Sequence, residues 1–503
     1  MIDEILNSIT FIYPELAVSI FLLIIVLVDL IFHKNKKYIP YISLAGLVIT
    51  GFLILNQIGI SHFAFVPHLS AVKKYGMMTI DPFGSYFKLL VVVSSILIIF
   101  FTIASKEVIE LKERLGEFYA LIYGMILGML VMISASDLIL IYLSLELLSL
   151  SSYVLAGFLK LRERSSEASL KYVIYGSVSS GLMLFGISII YGLTGSTNLY
   201  VINSLIHGPQ INLFTLSFSS ILMFVGIGYK ISAAPFHFWT PDVYEGAPIS
   251  ITAYLSVASK AAGFALLIRF IQTGFISYVS EDGFWTLIEV FDWQALLVAI
   301  SILTMTLGNF SALWQDNLKR MLAYSSIAHA GYILLGIAVL SNQGLIAVLI
   351  YFFVYMLMNI GAFYVVMLIA NKTGSENIDD YDGLGAKAPF LCVALAIFLI
   401  SLTGLPPTAG FIAKLYLFIA LIDANMIVVA IIALLNTVVS LYYYVRVLKH
   451  MYLTKSDREQ ENITPSFGSL VYLLVLLIPI LFFGIYFTPI VEFARSCVSL
   501  LGI

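Results

Sequence analysis

Four ionisable side chains lie inside long apolar stretches of the chain: Glu146, Lys230, Lys260 and Lys414. A charge at bilayer depth costs roughly 2.5–3.5 kcal/mol on insertion scales. A sequence that keeps four such groups is therefore expected to use them. The chemistry that suits them is proton relay, because desolvation disfavours charge on amine and carboxyl alike and lets each exchange a proton near neutral pH. Two unit charges about 6.5 Å apart, at an effective dielectric near 20, interact by about 2.5 kcal/mol. That is enough to change a neighbour's protonation equilibrium by roughly a hundredfold.

Polar residues at helical spacing extend each site. Tyr142, Glu146, Ser149 and Tyr153 recur along one helical face, with leucines opposite. Lys171, Tyr175 and Ser179 follow at four-residue steps. Lys171 has two readings: a lysine snorkelling to the headgroups, or a partner for Glu146 or Lys230. Ser325, His329 and Tyr332 share a face, and His329 is either a relay group or a satisfied core residue. Glu146 has a bland reading too, as a carboxylate hydrogen-bonded to a neighbouring helix. Small residues around Lys260 leave room for close packing and water. Glu15, Asp29 and His237 lack partners at metal-ligand spacing. Cys392 and Cys497 form no CxxC or Cys/His pattern, which argues against metal, iron–sulfur and disulfide frameworks. No nucleotide fingerprint is present, and nothing points to nucleic acid.

The elements that must hold these groups follow from composition. The 503 residues are 61% hydrophobic and 11% charged, with a mean hydropathy of +1.01. Soluble chains carry about 25% charged residues, so this is an integral membrane protein. Its opening, Met-Ile-Asp-Glu, lacks a basic region and a cleavage site. The first apolar stretch is expected to remain as a spanning helix. With about 20 residues per crossing, an all-α bundle of about 14 transmembrane helices is predicted. The spans run near 12–32, 39–56, 80–104, 118–136, 137–159, 167–193, 214–239, 248–275, 291–312, 319–340, 344–370, 389–422, 425–450 and 467–499.

Positive charge orients the bundle. One side receives His33 to Lys37, Lys106, Lys112, Arg114, Lys160, Arg162, Arg164, Lys319, Arg320, Lys372, Lys387, Lys449, Lys455 and Arg458. The other holds little beyond Lys73 and Lys74. This puts the basic loops in the cytoplasm and both termini outside.

Two spans look discontinuous: the seventh at Ser232 to Pro235, and the twelfth at Gly404, Pro406 and Pro407. Proline removes a backbone donor, and glycine relaxes the chain. Inside a membrane such breaks survive where protein or a wet cavity covers them. They lie five helices apart, an odd offset, so helices 4–8 and 9–13 would form two inverted five-helix repeats. Simple packing kinks are the alternative. The expected division is 1–117 (three helices), 118–275 (first repeat), 291–450 (second repeat) and 451–503 (last helix).

Three runs resemble one family: Leu145 to Tyr153, Pro235-Phe-His-Phe-Trp-Thr-Pro-Asp-Val-Tyr-Glu-Gly-Ala-Pro248, and Ala323 to Tyr332. They look like the antiporter-like membrane subunits of respiratory complex I, which are related to multisubunit cation/proton antiporters. The fourteen spans fit over essentially the full length.

The resemblance implies that Glu146 and Lys230 are the acidic and basic partners of a first half-channel. It makes Lys260 the link to a second, and Lys414 the terminal proton-transfer lysine. Lys171 matches a lysine that modulates the glutamate. A lysine at 414 resembles one branch of the family, since a similar branch places glutamate there. The long lateral helix of a third branch has no room after Ile503.

The family implies a translocase subunit working only among other membrane-arm subunits, most simply in a bacterial plasma membrane, with a thylakoid membrane as the other setting. NADH, FMN, Fe–S centres and quinone would reside in those partners, and no cofactor in this chain. The competing readings are a subunit of a multisubunit cation/proton antiporter, and a scaffold whose buried charges only pin helices together.

Overall fold

The computed structural model describes residues 2–32, 36–66, 75–206, 208, 211–288, 291–455 and 462–501. Five basic residues from the charge count, His33, Lys34, Lys73, Lys74 and Arg458, lie outside them.

The chain is a helical bundle. Its apolar helices, in order, are Tyr13–Ile31, Ile39–Leu55, Pro82–Ala104, Leu115–Ser134, Leu138–Ala156, Glu163–Thr194, Leu213–Ile231, Ile249–Phe275, Trp293–Ala312, Leu318–Ala338, Asn342–Thr373, Pro389–Thr403, Ile427–Tyr452 and Phe467–Ile485. Twelve are long and apolar enough to cross a membrane, while Ile39–Leu55 and Pro389–Thr403 are shorter apolar helices. Below, these helices are called first to fourteenth. The eighth, tenth and eleventh are buried almost throughout and form the centre. Among the described residues, strands are confined to two antiparallel pairs, His62–Ala64 with Met78–Ile80, and Ile276–Val279 with Trp285–Leu287.

Local chemistry sets the helix ends. Asp81 caps the third helix by accepting from the Gly84 amide at 2.7 Å, and Asp137 caps the fifth through Ile139 and Leu140. The sixth and eleventh helices are each 32 residues long. They end in one kind of turn, Thr194-Gly-Ser-Thr-Asn198 and Thr373-Gly-Ser-Glu-Asn377.

In both turns a left-handed glycine stops the helix, at φ 67° for Gly195 and 72° for Gly374. In both, the threonine hydroxyl donates to the carbonyl four residues back. In both, the final asparagine amide donates to the serine hydroxyl. Leu138 then donates to Thr197, and Leu318 to Glu376, each at 2.8 Å. Helix crossings repeat as well: Gly128 lies against the backbone of Ser144 and Leu148, and Gly308 against that of Tyr324 and Ala328.

The seventh helix ends at Ser232, whose φ is 61°, and a separate short helix, Trp239–Gly246, follows. The twelfth ends at Gly404 (φ 87°), and Ala409–Asp423 resumes the crossing. Both breaks carry a cis X–Pro peptide.

Other boundaries differ from expectation. The last span is not continuous over 467–499. It ends at Ile485, and a separate helix, Thr488–Ser496, starts with a proline in its first turn. A run of 33 residues is well beyond one crossing, and Pro489 fits a helix start better than an interior. A short helix, Ile2–Thr10, precedes the first span. The eighth helix contains a π-helical turn, Leu255–Ser259, directly before Lys260, a distortion that often marks functional positions.

Candidate functional site

Lys230, Lys260 and Lys414 are only 1%, 2% and 4% exposed. Each ammonium rests on neutral oxygen. Lys230 occupies the last turn of the seventh helix and donates to Ser149 Oγ at 3.3 Å. Lys260, just past the π-turn, donates to the carbonyl and hydroxyl of Ser326 at 2.8 and 3.0 Å. Lys414 reaches back across the twelfth-helix break to the Thr403 carbonyl at 2.7 Å and Thr437 Oγ1 at 3.4 Å. Its alkyl arm lies against Gly404, where an added Cβ would sit 2.7 Å from Lys414 Cδ. Among the described residues, no carboxylate lies within the 4.0 Å ion-pair distance of any of the three.

Glu146 is half-buried at the edge of the bundle, and its Oε1 has no hydrogen-bond partner. Among the described residues it makes neither an ion pair nor a hydrogen bond with Lys230. Ser149, the next polar residue of the same face, is what touches the amine.

Lys171 does not join this pair. It ion-pairs with Asp242 at 2.5 Å and Glu167 at 2.7 Å. Packing of the fifth and sixth helices explains this. Ser169 donates to the Tyr153 carbonyl, and the Tyr153 ring abuts Gly176. Lys171 thus sits at the level of Tyr153, about two turns or roughly 10 Å along the axis from Glu146. Tyr175 departs from expectation as well: it is 45% exposed and faces outward.

On the tenth helix His329 is enclosed by tyrosines. Its Nδ1 bonds the Tyr351 hydroxyl at 2.7 Å, and its Nε2 lies 3.4 Å from that of Tyr444. Tyr444 also bonds Ser325 at 2.5 Å. Tyr332 bonds Thr437 at 3.0 Å, and Thr437 in turn receives Lys414. Among the described residues these bonds form separate groups, around Lys230, Lys260, His329 and Lys414, with no direct bond from Ser326 to His329. The buried hydroxyls of Tyr244, whose ring lies 5.9 Å from Lys260 Nζ, and of Tyr355, whose ring packs on His329, have no hydrogen-bond partner among the described residues. Buried hydroxyls so placed suit a water-bridged step.

Toward the basic loops, Asp242 and Glu245 of the short helix both bind Arg320 Nη1 at 2.7 Å, and Arg164 joins Glu245. Burial pushes the Asp242 carboxyl up, but hydrogen bonds from Lys171 and Arg320 outweigh it and hold the group below the usual aspartate value. Beside this cluster, a polar cavity of about 660 Å³ is lined by Glu107, Glu245, Glu376 and Lys319 among others. Lys319 is buried there on the carbonyls of Glu245 and Ala247.

Sequence reasoning missed several of these groups. Ser326 lies one turn before His329 but was not singled out, and Thr403 contributes only a carbonyl. Asp242 stood in a recognised run without a role. Two buried ion pairs also escaped it: Arg269–Asp81, fully buried and two-pronged at 2.9 Å, and Lys88–Glu15 at 2.6 Å. Among the described residues, no cluster of three or more His, Cys, Asp or Glu could hold a metal ion.

Comparison with known proteins agrees with this architecture. Residues 135–440 match the family model described as NADH:quinone oxidoreductase/Mrp antiporter, transmembrane. The chain is 48% identical to NADH-quinone oxidoreductase subunit N 2 of Chloroherpeton thalassium, over 97% of this chain and 94% of that one. It is 44% identical to NADH-quinone oxidoreductase subunit N of Chlorobium chlorochromatii, over 99% and 96%. A chain in the structure of respiratory complex I from Thermus thermophilus superposes with a TM-score of 0.77 at 26% identity, covering 96% of this chain and 99% of that one. The chain therefore belongs to the NADH:quinone oxidoreductase/Mrp antiporter membrane family and, within it, to the subunit N branch of the NADH-quinone oxidoreductases.

Proposed function

We propose that the chain is the proton-translocating subunit N of a proton-pumping NADH-quinone oxidoreductase, driven by quinone reduction elsewhere in the complex. Three buried amines carry this reading. Each is held by a hydroxyl or carbonyl rather than by a counter-ion. In hydrocarbon, an amine without a carboxylate is costly. Neutral partners leave it free to give up its proton without abandoning an ion pair.

In this reading Glu146 and Lys230 serve the first half-channel, Lys260 links to the second, and Lys414 is its terminal station. Ser149, Ser325, His329, Tyr332 and water are the intermediaries. Tyr142 lines the approach to Glu146. Lys171 acts on the glutamate indirectly, through its clamp with Asp242.

The recurring Thr-Gly-Ser-x-Asn turns and glycine crossings support paired repeats over 118–275 and 291–450. Two outer segments, 1–117 and 451–503, complete the chain. The two shorter apolar helices are taken to cross the membrane as well, giving fourteen spans. Both termini then lie outside a bacterial plasma membrane. NADH, FMN, Fe–S centres and quinone bind partner subunits. The family description also names Mrp antiporters, but the relatives matched nearly end to end are NADH-quinone oxidoreductase subunits, which favours the quinone-coupled reading.

The test is Lys230→Ala in the assembled complex, with proton uptake and NADH oxidation measured in closed vesicles. Impaired pumping with retained assembly is expected. An unchanged ratio of protons to NADH would overturn the role of Lys230.

A further inference from the structure

At the ends of the helices that face the basic loops, a groove of about 680 Å³ opens between the start of the second helix, the end of the third and the start of the fourth. Its wall is largely apolar, formed by Pro40, Ile103, Val108, Ile109, Leu115 and Tyr119. The Tyr119 hydroxyl is satisfied by Thr102 Oγ1 at 2.7 Å, so it presents only its ring to the groove. A volume of this size is in the range that holds a small amphiphile.

The rim is different. Lys36, Lys37 and Lys112 surround it, with Glu113 as a carboxylate among them. Lys36 is committed to Asp29 at 2.7 Å and to the Glu113 carbonyl. Lys37 and Lys112 are exposed and have no hydrogen bond or ion pair to another described residue. Two free cations against one carboxylate leave the rim net positive. Lys112 is also held with φ at 41°, a left-handed conformation uncommon for a residue with a side chain and often tied to binding. Exposed Tyr41 stands at the mouth, where an amphipathic ring suits the headgroup level.

An apolar slot running into the hydrocarbon layer, under a cationic rim on the basic face, matches a lipid with an acyl chain and an anionic head. We propose that this groove binds an anionic phospholipid, its acyl chain against Ile103, Val108 and Leu115 and its phosphate between Lys37 and Lys112. The site is lined by residues between 36 and 119, none of them a buried lysine of the relay, and stands independently of the proton-relay reading.

The assembled complex, reconstituted in bilayers of phosphatidylcholine and phosphatidylglycerol, is probed with phosphatidylglycerol or phosphatidylcholine carrying a photoreactive group at mid-chain. Labelled peptides are then mapped by mass spectrometry. Phosphatidylglycerol is expected to label peptides spanning 100–119. Labelling should be roughly tenfold lower for phosphatidylcholine, and for phosphatidylglycerol in the Lys37→Gln/Lys112→Gln variant. That variant changes only exposed rim side chains and should assemble normally, with NADH oxidation unchanged. Equal labelling by both lipids, or labelling unaffected by the lysine changes, overturns the headgroup site. A photoreactive residue at Ile109 that captures a neighbouring subunit instead of lipid overturns it in favour of a subunit interface.

Discussion

Substituting Lys414 by methionine and by arginine separates a proton-transfer role from a structural one. The ammonium donates to the Thr403 carbonyl at 2.7 Å, and a charge-assisted bond of this kind is worth about 1.5–3 kcal/mol. Thr403 is the last residue of its half-helix, so the cation also sits at a negative helix end, which adds about 0.3–1 kcal/mol. Against this stands the cost of keeping an ammonium at membrane depth, about 2.5–3.5 kcal/mol. The two sides nearly cancel. Lys414→Met, of similar length and apolar, should therefore change the stability of the assembled complex by no more than about 1 kcal/mol. Arginine keeps the charge at Thr403 but holds its proton at any physiological pH. Native gel electrophoresis would report assembly. Dye quenching in vesicles, driven by NADH, would report pumping. Both variants are expected to assemble and both to pump poorly. Arginine with wild-type protons per NADH, or methionine that fails to assemble while arginine works fully, would refute the reasoning and leave Lys414 a pin between helices.

Three further outcomes follow from the geometry. Gly404→Ala puts a Cβ 2.7 Å from Lys414 Cδ at a backbone φ of 87°, so it should displace the lysine and depress pumping while Lys414 itself is intact. Normal pumping would show that the arm's position is unimportant. Asp81→Leu strands the fully buried Arg269 guanidinium and should cost about 3–5 kcal/mol, read as lost assembly or a lower melting temperature. Adding Arg269→Met should recover much of it, and no recovery would mean the pair is not the cause. Asp242 is held below the usual aspartate value, against burial, by Lys171 and Arg320. Its clamp is thus fully formed above pH of about 4 and is lost only as pH falls further. The stability difference between wild type and Asp242→Asn should be flat from pH 8 to pH 5; a difference that shrinks by pH 5.5 would contradict the depressed carboxyl.

The features readable in the sequence were those fixed by hydrophobic length and local spacing. Long apolar runs form helices of crossing length, so the helices and the positions of Glu146, Lys230, Lys260 and Lys414 within them followed from one dimension. Pro235 and Pro406 remove backbone donors wherever they stand, so both breaks were visible. Long-range partners were not. Lys171, Tyr175 and Ser179 do share a helical face, but periodicity cannot say which part of it turns to the bundle. The crossing of two helices decides that, and it places Lys171 beside Asp242 and Tyr175 outside. The π-turn before Lys260 has no sequence signature, since Leu255 to Ser259 is ordinary helix-compatible chain. Arg269 and Asp81 each stand near a predicted helix end and drew no reading from the sequence. Only the packing of the third helix on the eighth makes them a buried pair.

Lys230 and Lys414 reach one electrostatic solution by different routes. Lys230 lies in the last turn of Leu213–Ile231, so its charge is at a helix C-terminus by its own position in the chain. Lys414 lies beyond its break, near the positive end of Ala409–Asp423, which alone would disfavour it. It escapes by reaching back to Thr403, the C-terminal carbonyl of the preceding half-helix. Gly404, with no side chain in the way, gives the arm its path. At both breaks the backbone therefore supplies a fixed dipole that stabilises the ammonium. A fixed dipole is weaker than a carboxylate and does not follow the proton when it leaves. A lysine held this way is hospitable to a proton yet not locked to it, and in the proposed relay the charge of Glu146 is what would decide whether Lys230 is loaded.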